Sequence, residues 1–246
     1  VEVFMKKSSK IMGISFLILS IVVSVIFFTK HNADADAVKI RLGGSDRYAT
    51  AVETSKHGWG SGSSTIVLVC GSDFPDALSA APLAKSYNAP ILLTEVGELP
   101  GVVSTEISRL KPTKAYIVGG TGVISTNIET QLKAKGISDI QRLGGVNRYE
   151  TATLVANAVV KKVGTCNGII LASGTGFADA LSIAPIAAKL GMPILLTEKD
   201  DFNSYNKSFI QNKTIPVTYA IGGTGVISDS NKNNYANAIR IGGVNR

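Results

Sequence analysis

Two cysteines and two histidines are all that 246 residues contain, and each scarcity removes a class of function. Cys70 stands in an apolar run and Cys166 in a polar stretch with no matching partner elsewhere, so they read as free thiols rather than a staple. Zinc hydrolysis needs several N, S or O ligands converging, and a serine triad needs a base beside its nucleophile. His31 and His57 cannot assemble either, so no catalytic residue and no metal ligand are predicted. Tryptophan occurs once, aromatics make up 7%, and no basic run is interleaved with aromatics. That pattern argues against nucleic acid. The formal net charge of +7 instead favours contact with anionic polymers. A phosphate-binding lysine motif is missing too. Gly119-Gly120-Thr121-Gly122 has the spacing G-G-x-G rather than G-x-G-x-x-G, which predicts a tight turn and no nucleotide cofactor.

Long hydrophobic runs are also absent after residue 28. Before it, Lys6, Lys7 and Lys10 precede an uncharged stretch from Ile11 to Phe28, followed by Ala33-Asp34-Ala35-Asp36-Ala37. A basic start, an apolar stretch and small-x-small sites predict a secretory signal over residues 1–37, cleaved after Ala35 or Ala37. The stretch is long enough to span a bilayer, so an uncleaved anchor is the alternative and the one membrane contact foreseen. The expected location is outside the cell, at its wall or surface.

What is present is repetition. Arg41-Leu42-Gly43-Gly44 returns as Arg142-Leu143-Gly144-Gly145 and again as Arg240-Ile241-Gly242-Gly243. Pro90-Ile91-Leu92-Leu93-Thr94 matches Pro193-Ile194-Leu195-Leu196-Thr197, and Gly119–Ser125 matches Gly222–Ser228. The domains follow: a first repeat over 38–140, a second over 141–239, and the start of a truncated third over 240–246. The alternative for 239–243 is a strand that merely closes the second sheet. Within the first copy, Lys39–Leu42, Thr65–Cys70, Pro90–Thr94 and Lys114–Val118 read as strands. Gln141–Leu143 opens the second copy. Continuous Val/Ile/Leu runs suit parallel strands buried beneath helices on both faces. Helical patterns near Arg47–Lys56, Pro75–Tyr87, Val102–Leu110 and Asn127–Lys135 fall between them. The predicted class is α/β, as tandem Rossmann-like modules with mainly parallel sheets flanked by helices. Asp46, Asn147 and Asn245 are predicted helix N-caps. Pro82 and Pro185 fall well inside helical patterns, which predicts a kink or break shared by both copies.

Repeated domains present one surface several times and multiply weak contacts, which enzymes rarely need. Asp76 and Asp179, in F-x-D-A-L-S, are the best carboxylates, but a glycosidase needs two around one sugar bond. Asp73 becomes Gly176, so the partner is missing from the second copy, and a first-turn aspartate facing the helix dipole is the plainer reading. The strands carrying Ile91, Leu92, Leu93 and Ile194, Leu195, Leu196 end at the rim where open α/β sheets bind ligands. Arg41, Arg47, Arg142 and Arg148 supply cations at matched places, suited to phosphate or carboxylate groups.

Together, R-[LI]-G-G-x-[DN]-R-Y-x-T-A at 41–51 and 142–152, F-x-D-A-L-S-x-A-P at 74–82 and 177–185, P-I-L-L-T and [VI]-G-G-T-G-V-I-S resemble the clostridial-type cell-wall-binding repeat 2 family. The resemblance implies a module that binds an anionic wall polysaccharide without a covalent bond and retains S-layer-associated proteins at the Gram-positive surface. It also links the I-L-L residues to polymer anchoring. Family arrays contain three copies around a pseudo-threefold axis, which implies packing with a missing third repeat or with other chains. Two alternatives stay open: an amidase-like wall hydrolase, and a self-assembling surface-layer protein.

Overall fold

The computed structural model describes residues 39–211 and 213–243. The predicted signal lies outside them, and among the described residues no helix is long and apolar enough to cross a membrane. Two sheets, each of four parallel strands, carry the fold. The first comprises β1 (Thr65–Cys70), β2 (Ile91–Thr94), β3 (Lys114–Val118) and β4 (Asp139–Leu143), in the order β2-β1-β3-β4. The second comprises β5 (Ile169–Ser173), β6 (Ile194–Thr197), β7 (Thr218–Ile221) and β8 (Ala238–Ile241), in the order β6-β5-β7-β8. Helices α1 (Arg47–Gly58), α2 (Ala80–Ser86), α3 (Gly101–Leu110) and α4 (Thr126–Ala134) alternate with the first set. A 3-10 turn at Asp76–Ser79 leads into α2. Helices α5 (Arg148–Val163), α6 (Ala178–Leu190), α7 (Ser204–Ile210) and α8 (Asp229–Lys232) alternate with the second. The chain is a pair of tandem Rossmann-like α/β modules.

The apolar runs become central strands because both faces are covered. Every residue of β1 is buried, and Leu68 stands in register with Leu92 on one side and Ile117 on the other. One face packs Ile66, Leu68 and Leu92 against Val103, Ile107 and Ile128. The other packs Val67, Val69 and Tyr116 against Leu83, Val155 and Val159. Val155 and Val159 belong to α5, which also sends Ala156 into the second module's core beside Ile169 and Leu195. One helix therefore serves two sheets. The N-cap expectation holds where it can be seen: Asp46 accepts from the Ala49 amide at 2.7 Å, and Asn147 accepts from Tyr149 and Glu150. Asn245 lies outside the described residues.

Three expectations need correction. Residues 39–42 form no strand. The strand predicted to open the second copy is instead the edge of the first sheet, paired with β3 from Lys114↔Asp139 to Val118↔Leu143. β8 likewise closes the second sheet beside β7. Helix α4 carries the chain back across the sheet, and of the two open edges, beside β2 and beside β3, the returning strand takes the one beside β3. Each repeat thus begins in sequence where the preceding sheet ends in space. The prolines, finally, are not treated alike. Pro82 sits in the first turn of α2, after the 3-10 break, whereas Pro185 lies inside the unbroken α6. A first-turn proline loses no helical hydrogen bond, because that N–H has no partner in the helix.

Candidate functional site

In a parallel sheet all strand C-termini open on one edge, and the loops there form the natural binding rim. The first module's rim carries a groove of about 800 Å³ beyond the end of β2. Tyr48 of α1, Ser72 after β1, Glu95–Leu99 after β2, and Asn127 and Gln131 of α4 line it. Its loop is pinned from below. The Thr94 hydroxyl donates to the carbonyls of Glu95 and Glu98, both at 3.1 Å. The Asn127 amide donates to the Gly97 carbonyl at 2.9 Å, and Gln131 accepts from the Leu99 amide. The result is a polar trough of amides, carboxylates and one phenol over a rigid floor. Tyr48 packs so closely over Gly71 that a Cβ there would meet its ring at 2.5 Å, which is why glycine follows β1. Partial burial, then the charge of Glu95, raises the Tyr48 phenol above its ordinary pKa.

The second module builds the same rim with tighter fastening. Tyr149 covers Gly174 as Tyr48 covers Gly71. Its hydroxyl donates to Glu198 at 3.1 Å, and burial with that carboxylate pushes its pKa up to about 12. The buried Asn231 amide donates to the Thr197 hydroxyl and to the carbonyls of Glu198 and Asp201 at 2.8–3.0 Å. A separate cavity of about 600 Å³ opens beyond β7, lined by Asp179, Ser182, Gly222, Gly223 and Ile241 among others.

The sequence-derived residues are dispersed by the fold. Leu92, Ile194, Leu195 and Leu196 are buried within β2 and β6, while Ile91 and Leu93 are half-buried. They support the rim rather than line it. Arg47 donates to the Gly71 carbonyl at 2.5 Å and Arg148 to the Gly174 carbonyl at 2.6 Å. Each ties its helix to the loop after the first strand of its module. Arg142 is on β4, at the opposite sheet edge from β2, and binds Glu129 at 2.8 Å and the carbonyls of Gly119 and Ile124. Arg41 is exposed. Asp76 is the first residue of the 3-10 turn and Asp179 lies in the first turn of α6. Burial raises the Asp76 pKa, and a hydrogen bond from Thr151 opposes the rise. The glycine turns behave as expected: Gly119 (φ +137°) and Gly222 (φ +110°) adopt the left-handed side that glycine tolerates. Asn127 and Gln131 stand in no repeated motif, and Tyr48 enters only as the Tyr of R-Y-x-T-A. The recurrence of Arg-Tyr at 47–48 and 148–149 was the available signal for the tyrosine.

The comparisons with known proteins agree with this architecture. The family model for cell wall binding domain 2 (CWB2) matches residues 41–129 and 142–232, one match per repeat. The chain is 41% identical over 242 residues to N-acetylmuramoyl-L-alanine amidase LytC of Bacillus subtilis, covering 98% of this chain and 46% of that protein. It is 38% identical over 187 residues to the amidase enhancer of the same organism, covering 76% and 26%. It thus spans less than half the length of either relative. Among solved structures, Cwp6 from Clostridium difficile superposes with TM-score 0.78 at 34% identity, over 82% of this chain and 33% of that one. Cwp8 from the same organism gives 0.73 at 32%, over 83% and 35%. With both repeats matched in sequence and the fold matched in space, the chain belongs to the cell wall binding domain 2 family.

Proposed function

We propose that the chain is a secreted wall-anchoring unit that holds a protein at the Gram-positive surface by non-covalent binding of an anionic wall polysaccharide. The observation that carries the reading is the double family match over two modules that each present the same rim. Asn, Gln, Glu and Tyr side chains in the groove after β2 are hydrogen-bonding partners for sugar hydroxyls. The polymer's charge is answered by the net positive charge, still +5 once residues 1–35 with four lysines, Glu2 and Asp34 are removed from the +7 of the whole chain, rather than by Arg47, Arg142 and Arg148, whose guanidinium groups are bonded internally. The I-L-L strands act as the rigid floor that fixes the rim. Further modules, in a third repeat or in other chains, complete a packing around a pseudo-threefold axis.

The unit acts without chemistry of its own: the relatives named for amidase function are matched over less than half their length. Co-sedimentation with purified walls tests the proposal. Binding is expected to walls that keep their anionic polymer and to fall at least tenfold once it is stripped; equal binding to both would overturn it. A peptidoglycan zymogram is expected to stay dark, and a lysis band would favour the hydrolase reading.

A further inference from the structure

Because the strands of each sheet are parallel, each connecting helix runs back against them, and its C-terminus lies at the edge where the strands begin. That edge is basic. Lys85 stands in the last turn of α2, Lys161 and Lys162 in that of α5, and Lys189 in that of α6, and all are exposed. The opposite edge, the rim where the strands end, carries acids. Asp73, Glu95 and Glu98 of the first module and Glu198, Asp200 and Asp201 of the second are exposed there. Arg47 and Arg148, at the same rim, are engaged with loop carbonyls. The groove beyond β2 therefore suits uncharged hydroxyls better than it suits an anion.

Two contacts draw the lysines together across the modules. The Lys162 ammonium lies 4.7 Å from the centre of the Tyr87 ring, at the end of α2. A Cβ at Gly191, the C-cap of α6, would meet Val163 of α5 at 3.7 Å. The ends of α2, α5 and α6 are thus neighbours. Lys114 reaches the same Tyr87 ring at 5.8 Å, but it is paired with Asp139 at 2.8 Å. Among the described residues, no carboxylate is paired with Lys85, Lys161, Lys162 or Lys189. The helix macrodipole accounts for a cation at each helix end. It does not account for two in succession on α5, nor for three such ends side by side, because like charges repel. A bound polyanion offsets that repulsion. A membrane-binding face would set aromatic wedges beside its lysines. The exposed phenylalanines, Phe74 and Phe177, stand instead in the rim loops after β1 and β5, and the exposed hydrocarbon beside the lysines is Val163 and Leu190.

We propose that the edge at the ends of α2, α5 and α6 is a polyanion-binding face, on which Lys85, Lys161, Lys162 and Lys189 take the phosphate or carboxylate groups of a linear polymer. The proposal rests on the reading of the chain as a binder of anionic wall polysaccharide, and it separates two tasks. Sugar hydroxyls are met at the rim and charge at the opposite edge.

The test has two arms. In the first, the full chain with labelled backbone amides is titrated with linear inorganic polyphosphate. Saturable shifts are expected at residues 85–88, 161–165 and 189–192. They should vanish when Lys85→Gln, Lys161→Gln, Lys162→Gln and Lys189→Gln are combined, and return when the same positions are changed to Arg. Shifts centred on the rim loops 71–74 and 95–98, or no shifts, would overturn the face. Tighter retention on phosphatidylglycerol vesicles than on polyphosphate at equal phosphate would overturn the polymer as its occupant. In the second arm, sedimentation with purified walls is measured at low and high salt. The Gln variant, with unchanged circular dichroism, is expected to bind at least tenfold more weakly at low salt and to lose most of the salt dependence. Binding and salt dependence equal to those of the unaltered chain would refute the proposal. If the unaltered chain shifts with polyphosphate yet ignores walls, the wall-anchoring reading falls and the face stands.

Discussion

Glu106 is 1% exposed between α1 and α3, where it accepts from Ser55 at 2.5 Å and from Arg109 at 2.6 and 2.7 Å. The second module fills the equivalent space with Ala156 and Phe209, so one fold solves one contact with an ion pair and with hydrocarbon. Glu106→Ala leaves the buried Ser55 hydroxyl without its acceptor, while Arg109, 31% exposed, turns to solvent, so the change should cost about 1–3 kcal/mol in urea unfolding at neutral pH. Ser55→Ala with Glu106→Phe, copying the second module, should recover most of that loss. Burial alone would lift the Glu106 pKa, but Arg109 and Ser55 outweigh it and hold the group below its ordinary value. A depressed carboxylate contributes stability above its unfolded pKa and loses it as pH falls through the folded one, so the deficit of Glu106→Ala should shrink in acid. Asp76 has the opposite sign. Its pKa is raised, chiefly by burial, so its ionisation opposes folding as pH rises through the carboxylate range. Asp76→Asn, which keeps a partner for Thr151, should raise the unfolding midpoint at pH 7 and do little at pH 3.

At the scale of elements, the prolines give the sharpest contrast. Pro185 lies inside α6, where it denies the carbonyl four residues earlier its helical hydrogen bond. Pro185→Ala should therefore stabilise by up to about 3 kcal/mol in thermal unfolding, whereas Pro82→Ala, in the first turn of α2, should change little. The loop after β6 makes a second case. Asn231→Ala removes donors to Thr197, Glu198 and Asp201, and should cost about 1–3 kcal/mol while speeding amide exchange across residues 198–202. The central strands and most helices were legible because buried parallel strands demand unbroken apolar runs. Thr65–Cys70 and Lys114–Val118 stand where those runs lie. The edge strands were less legible. Asp139–Leu143 is only partly buried, so nothing in its pattern says which sheet it joins. The two prolines share one motif, and their difference arises only from the break at Asp76–Ser79 that precedes one of them.

For the whole molecule, the decisive element is α5, wedged between two sheets. Sharing it should make the modules melt as one cooperative unit, with coincident transitions by far-ultraviolet dichroism and by tyrosine fluorescence. Val155→Ala with Val159→Ala should weaken the unit by about 2 kcal/mol per site and separate the transitions. Val155, Ala156 and Val159 of α5 are apolar in the sequence, but sequence alone does not say that they divide between two modules. The rim was partly legible for a similar reason. The I-L-L strands announce where it lies, whereas Tyr48, Asn127 and Gln131 come from helices brought together only by folding. The arginines were visible as charges, but not as ligands of the strand-end carbonyls that hold them.

The central claim is that walls are gripped at the groove beyond β2. Gly97→Trp, at an open position of that groove, combined with Asn127→Ala, should obstruct it without touching the core. Sedimentation of the variant beside the unaltered chain with purified Gram-positive walls decides the matter. A dissociation constant raised at least tenfold, with unchanged circular dichroism, is predicted; equal binding by the two proteins would contradict the account.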